Sequence, residues 1–129
     1  MAQVVISGHR EQLATRRAAL SDAIHGAVMA ALDYPAEKRF HRFVGLEPDD
    51  FIHPHDRGLD YTIIEISLFE GRSDAAKRQL IRELFARIHA EVGIDPHSVE
   101  ITLTETPKAN WGIRGQVASD LELGYRVDV

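Results

Sequence analysis

The sequence predicts an α+β domain: tandem β-α-β repeats forming a four-stranded sheet with two helices on one face. Three observations predict it. First, a β-rich stretch, a turn with arginine, a long helical pattern, a proline and a second β-rich stretch occur in that order twice, about 60 residues apart. Second, matched residues mark both halves: Arg10 and Arg72 stand before the helices, Pro35 and Pro96 after them, and Phe51 and Trp111 end the two halves. Third, 129 residues suit one domain, here a pseudo-repeat of 1–58 and 59–129. A repeated β-α-β unit places both helices on the same side of a shared sheet.

The elements follow in order. Val4-Val5-Ile6-Ser7 predicts a strand over 3–7, followed by the basic turn Gly8-His9-Arg10. Residues 11–32 carry Leu13, Leu20, Ile24, Ala27, Val28, Ala31 and Leu32, whose later members follow three-and-four spacing, so one amphipathic helix is expected. Tyr34-Pro35 ends it, because a proline disfavours helical geometry in the residue before it. Phe40-His41-Arg42-Phe43-Val44 predicts a strand over 39–45. A linker-like stretch runs from Gly45 to Gly58. Ile64, Ile66 and Leu68 alternate with Glu65 and Ser67, a strand over 61–68 with one buried face and one wetter face. Ser73 is placed to cap a helix over 74–92 and Asp74 suits its positive end, while Gly93 stops it. Ile101 and Leu103 alternate with threonines in a strand over 98–104. Residues 121–129 are expected to add a short edge strand. Two helices cannot cover both faces of such a sheet, so the bare face is either polar or shared with another chain.

Composition narrows the function. A net charge of −5 argues against a general nucleic-acid binder, although a local basic pocket remains compatible. Without cysteine there is no thiol nucleophile, disulfide or Cys-ligated metal. No run approaches the ~18 apolar residues of a membrane span, and no secretory leader pattern opens the chain. The expectation is a soluble, cytoplasmic protein.

Phe69-Glu70-Gly71-Arg72-Ser73, then a helix, then Asp95-Pro96, a Thr-rich strand and Glu105-Thr106-Pro107-Lys108-Ala109-Asn110-Trp111-Gly112 resemble the tautomerase superfamily, in its long form of the malonate semialdehyde decarboxylase-like and macrophage migration inhibitory factor-like type. The resemblance is strongest over residues 60–115. It implies two β-α-β units per chain and a barrel-like homotrimer. It also implies a small keto- or enol-acid substrate, with neither metal nor organic cofactor. In that family an N-terminal proline amine transfers the proton, arginines hold the carboxylate and an aromatic residue closes the pocket. This chain begins Met1-Ala2-Gln3, carries Lys38 where the decarboxylases have a loop acid, and has Glu70 where they have a further arginine. The resemblance therefore carries the fold further than the chemistry.

The candidate residues are few. The amine of Ala2, once Met1 is removed, has an ordinary pKa of about 7.7–8.0, and nearby cations would lower it; the other reading is a plain strand end. Lys38 is the second candidate amine. Arg72, at a helix N-terminus, suits a carboxylate, unless it serves only an ion pair. Arg39 is a candidate carboxylate ligand or a charged sheet edge. Arg10 could frame the same kind of pocket in the first half. Trp111 reads equally as a pocket wall or as interface packing, with Phe51 its counterpart. His53, His55 and Asp56 lack a clear third metal ligand, and Tyr61, Glu65 and Glu105 stay unranked. Three activities remain open: weak keto–enol tautomerisation, a catalytically silent trimeric binding protein, and a 3-oxo acid decarboxylase or hydratase.

Overall fold

The computed structural model describes residues 2–121 and 127–129. Strand β1 (Ala2–His9) leads into the short helix α1 (Arg10–Ala14) and then α2 (Arg17–Leu32). Strand β2 (His41–Leu46) completes the first unit. The second comprises β3 (Thr62–Phe69), α3 (Asp74–Val92) and β4 (Val99–Thr106). The sheet order is β2-β1-β3-β4, parallel within each unit and antiparallel where β1 meets β3. The two units therefore run in opposite directions, and equivalent residues lie at opposite ends of the sheet.

Period-two alternation decides which face is buried. Ala2, Val4 and Ile6 of β1 and Ile64, Ile66 and Leu68 of β3 point to the helices, each 3% exposed or less. From α2 they meet Leu20, Ala23, Ile24, Ala27, Val28 and Leu32, and from α3 Leu80, Leu84 and Ile88. Each buried Ile or Leu contributes about 1.5–3 kcal/mol before ordering costs. The opposite face carries Gln3, Arg42, Val44, Glu65, Glu100, Thr102 and Thr104, all exposed.

The ends of α3 match expectation. Ser73 Oγ accepts from the Ala76 amide at 3.1 Å, and Gly93 takes the left-handed conformation (φ 82°) while its N–H reaches the Ile88 and His89 carbonyls. Three details differ. The single helix expected over 11–32 is broken at Thr15–Arg16. There the Arg16 amide bonds back to the Leu13 carbonyl and its guanidinium reaches Asp60 at 2.6 Å, so Leu13 turns into the core before α2 sets off along the sheet. Lys38 and Arg39 lie in the turn before β2 rather than on it. A small hairpin, β5 (Gly112–Ile113) and β6 (Gln116–Val117), follows β4 without having been expected. The edge strand expected over 121–129 falls largely on 122–126, outside the described residues; Leu121 and Val127–Val129 are not strand.

Candidate functional site

Two sets of contacts lie at the end of the sheet where β1 begins. Ala2 pairs with Leu68 across the antiparallel strands. Its backbone N–H donates to the Tyr34 hydroxyl at 3.0 Å, and the residue is 3% exposed. Tyr34 reaches that point because α2 ends at Asp33 in the left-handed region (φ 50°), turning the chain back under the sheet. One residue beyond Leu68, the Phe69 ring meets Trp111 edge-on, with centroids 4.8 Å apart. The Phe69 carbonyl accepts from Arg72 Nη1 at 3.3 Å. Lys108 Nζ stands 6.0 Å from the Phe69 ring centroid. Ala2, Arg72 and Trp111 are thus brought to one end of the sheet, together with Tyr34, whose role no local pattern could reveal because its partner lies 32 residues away.

Arg72 is only 4% exposed. A buried guanidinium is costly unless it is satisfied, so Arg72 belongs to the packing of this corner as well as to its charge. The turn that presents it is itself covered. Gly71 has φ 126°, and the Val127 carbonyl oxygen lies 3.1 Å from where a Cβ would stand. The Ser73 amide donates to the Val129 carbonyl at 2.7 Å. A backbone oxygen therefore occupies the α3 N-terminus, the kind of position that suits an anion.

On the β2 side of the same end lies an open groove of about 430 Å³, lined by Gln3, Arg39, Phe40, His41 and Arg42. Arg39 is exposed and directs its guanidinium to Asp22 at 2.7 Å and to Ser21 Oγ at 3.3 Å. Such an exposed pair is worth little and can be exchanged for a ligand carboxylate. Lys38 is half-buried, and its amide closes the turn onto the Pro35 carbonyl. His41 bonds Ser21 Oγ through Nδ1 at 2.8 Å. Its pKa is lowered to about 4, chiefly by burial and then by His25 and Arg39, so it stays neutral at pH 7. His41, Arg42 and Tyr34 are among the groups here that sequence reasoning did not single out as site residues.

Arg10 follows the other end of β1, which spans about 23 Å from Ala2 to His9 at strand rise, and pairs with Glu47 at 3.0 Å. Within one chain it cannot assist Arg72. Around it the first half repeats the geometry of the second: the His9 and Phe51 rings are 4.9 Å apart, as Phe69 and Trp111 are 4.8 Å apart. His53 joins this cluster, with its Nε2 2.8 Å from that of His9, and Phe51 stacks on Tyr61. Tyr61 donates to Glu100 at 2.9 Å, and burial followed by that carboxylate raises its pKa. His53, His55 and Asp56 do not converge, because His53 turns to His9 while Asp56 faces Arg57 and His97. No group of three His, Cys, Asp or Glu among the described residues is arranged to hold a metal ion. Glu65 lies on the open face, and Glu105 is bound by Lys77 at 2.7 Å. No helix among the described residues is long and apolar enough to cross a membrane.

Comparison with known proteins fits this geometry. Residues 38–114 match the family described as "Tautomerase enzyme". A 2-hydroxymuconate tautomerase of Stutzerimonas stutzeri is 41% identical over 56 residues, which is 43% of this chain and 89% of that protein. One from Pseudomonas putida is 40% identical over 57 residues, 44% of this chain and 90% of the relative. Among solved structures, a malonate semialdehyde decarboxylase superposes with TM-score 0.81 at 22% identity, covering 93% of this chain and 99% of the other. A native fused 4-OT gives 0.76 at 23%, covering 93% and 97%. A symmetric trimer of a fused 4-OT gives 0.71 at 26%, covering 92% and 95%.

Proposed function

The chain belongs to the tautomerase enzyme family, and from that premise we propose that it binds a small keto- or enol-carboxylate and catalyses weak keto–enol tautomerisation. The supporting observation is the placement of the Ala2 nitrogen 3.0 Å from the Tyr34 hydroxyl, at the same end of the sheet as Arg72, Trp111 and the groove lined by Arg39 and Arg42. With Met1 removed, that nitrogen becomes a primary amine. An α-amino group, with its ordinary pKa of about 7.7–8.0, leaves a fraction of free base near neutrality. The amine takes the proton from the carbon next to the carbonyl: the C–H bond breaks, an N–H bond forms and the electron pair passes to the carbonyl oxygen. The oxygen then receives a proton, giving the enol. Tyr34 holds the amine, the arginines fix the carboxylate, and Trp111 excludes water from the reacting atoms. Lys38 is the alternative amine in the same region. We also take the working form to be a homotrimer and its compartment to be the cytoplasm. The open sheet face and the relatives described as trimers support the first of these.

The test is turnover of phenylenolpyruvate and 2-hydroxymuconate by the purified chain, alongside intact mass of its N-terminus. Measurable ketonisation is expected, falling about tenfold or more when the terminal amine is selectively acetylated. A rate indifferent to acetylation removes the amine from the mechanism and moves attention to Lys38→Met. A second reading is a catalytically silent trimeric binding protein. It is favoured by the burial of Ala2 and Arg72 and by the Val129 carbonyl seated on the Ser73 amide. Calorimetric binding of an enol carboxylate without any turnover would decide for it. Decarboxylation or hydration of a 3-oxo acid is the third reading, tested by carbon dioxide release.

A further inference from the structure

The groove at the start of β2 ties a histidine to an arginine through one hydroxyl. Arg39 Nη1 donates to Ser21 Oγ at 3.3 Å and to Asp22 at 2.7 Å. The same Ser21 Oγ lies 2.8 Å from His41 Nδ1. A hydroxyl offers one proton and two lone pairs. With Arg39 on one lone pair, a neutral His41 takes the hydroxyl proton on Nδ1. An imidazolium cannot, because both of its ring nitrogens donate. It would have to share the Ser21 oxygen with Arg39, cation beside cation. Arg39 and a charged His41 therefore compete for one acceptor. The depressed pKa of His41 agrees with this: burial contributes most, then His25, then Arg39.

Both residues line the open groove, together with Gln3, Phe40 and Arg42. His41 is half-buried and Arg39 exposed, so solvent and ligand reach this part of the groove. The other groups about His41 have their own partners or carry positive charge. Helix α2 brings His25, whose ring centroid is 6.0 Å away and whose Nε2 donates to the Ala36 carbonyl at 2.8 Å. Asp22, also on α2, is engaged by Arg39. The turn before β2 adds Lys38, β2 adds Arg42, and β1 places the uncharged Val4 opposite His41. An anion seated in the groove changes two things. It draws Arg39 away from Ser21, which frees the acceptor, and it sets a negative charge beside His41. Both changes favour the imidazolium.

We propose that this groove binds its anion together with a proton taken up by His41, which makes His41 a third cationic group holding the ligand beside Arg39 and Arg42. The inference rests on the reading of the groove as a carboxylate site. The proton comes from solvent and adds to Nδ1. Ser21 turns its hydroxyl, so that its oxygen accepts from His41 in place of Arg39, and Arg39 turns to the anion. By linkage, the proton tightens anion binding by the same factor as the anion tightens proton binding. The groove thus holds its ligand more firmly as pH falls, and Ser21 is the positioning residue through which the two cations exchange places.

The probe is benzenesulfonate, a planar anion that keeps its charge throughout this pH range and so stands in for a carboxylate without titrating itself. Calorimetry on the full chain should show binding about fourfold tighter at pH 5 than at pH 7, as follows when an adjacent counter-charge brings His41 most of the way back to the ordinary histidine value. At pH 5 the heat should differ between buffers of low and high ionisation enthalpy, the signature of proton uptake. His41→Asn keeps an acceptor for Ser21 but takes no proton, so it should bind equally at both pH values. Asp22→Asn should leave the pH profile in place, and Arg39→Ala should lose most of the binding, which locates the probe in the groove. Equal affinity of the unaltered chain at pH 5 and pH 7 overturns the proposal. So does a profile that persists in His41→Asn, binding unchanged in Arg39→Ala, or no saturable binding at all. Should His41→Asn fail to fold, the buffer dependence of the unaltered chain decides alone. Proton-coupled binding without ketonisation of phenylenolpyruvate would remove the catalytic reading and leave this one standing; ketonisation with pH-independent anion binding would do the reverse.

Discussion

His41 makes this protein acid-sensitive at a single residue. Its folded pKa of about 4 lies below the ordinary 6.5, chiefly because burial disfavours the imidazolium. The unfolded chain therefore binds the extra proton first as pH falls. The contribution of His41 is complete above about pH 6.5 and is lost progressively toward pH 4. At pH 5 the loss is about 1–2 kcal/mol, allowing for its partial exposure. Urea titrations of the unaltered chain and of His41→Gln should diverge over that window, and parallel pH profiles would refute the assignment. Ser73 gives a second residue-scale prediction. Its hydroxyl satisfies one amide of the α3 N-terminus, so Ser73→Ala should cost about 1 kcal/mol in the same assay. A change within experimental error would refute the capping role of the Ser73 hydroxyl.

The elements owe their limits to a few positions. Helix α3 ends at Gly93 because its backbone is left-handed (φ 82°) while its N–H closes on the Ile88 and His89 carbonyls. No neighbour crowds a side chain there. Gly93→Ala should thus lose roughly 1 kcal/mol through backbone strain alone, read as a lowered thermal midpoint with an unchanged spectrum. Helix α2 tells a different story. Ala23 and Ala27 are fully buried, and a Cβ on Gly26 would stand 2.9 Å from Arg87 Nη1 of α3. Small residues on this face let the two helices lie close over one side of the sheet.

For the whole molecule, the side of the sheet away from the helices is mixed: Val44 is 39% exposed, amid Arg42, Glu65, Thr102 and Thr104. If copies of the chain share that side, Val44→Glu should release them as folded single chains, seen by light scattering after gel filtration with the circular dichroism retained. An unaltered mass would place the interface elsewhere. Nearly the whole of a 2-hydroxymuconate tautomerase aligns with less than half of this chain. The two β-α-β units carry different ring pairs at corresponding corners. The second half pairs Phe69 with Trp111, whereas the first pairs His9 with Phe51 and adds His53.

The amino-acid order alone determined the two-unit plan, the four strands, the buried face, and the start and stop of α3. Each of these follows from local alternation, helical spacing or a capping residue, and such signals survive without a partner. It also marked Arg72 and Trp111 as worth attention, through the turn and the aromatic that punctuate the second unit. Which residues meet was decided only in three dimensions. Tyr34 reaches Ala2, His53 reaches His9, and Arg10 is carried away from Arg72, because β1 and β3 run antiparallel and send matched residues to opposite ends. The break at Thr15–Arg16 was equally invisible; there Arg16 reaches Asp60, 44 residues along the chain. Long-range pairing leaves no periodic trace in a sequence, and it is this pairing that assembles the sites.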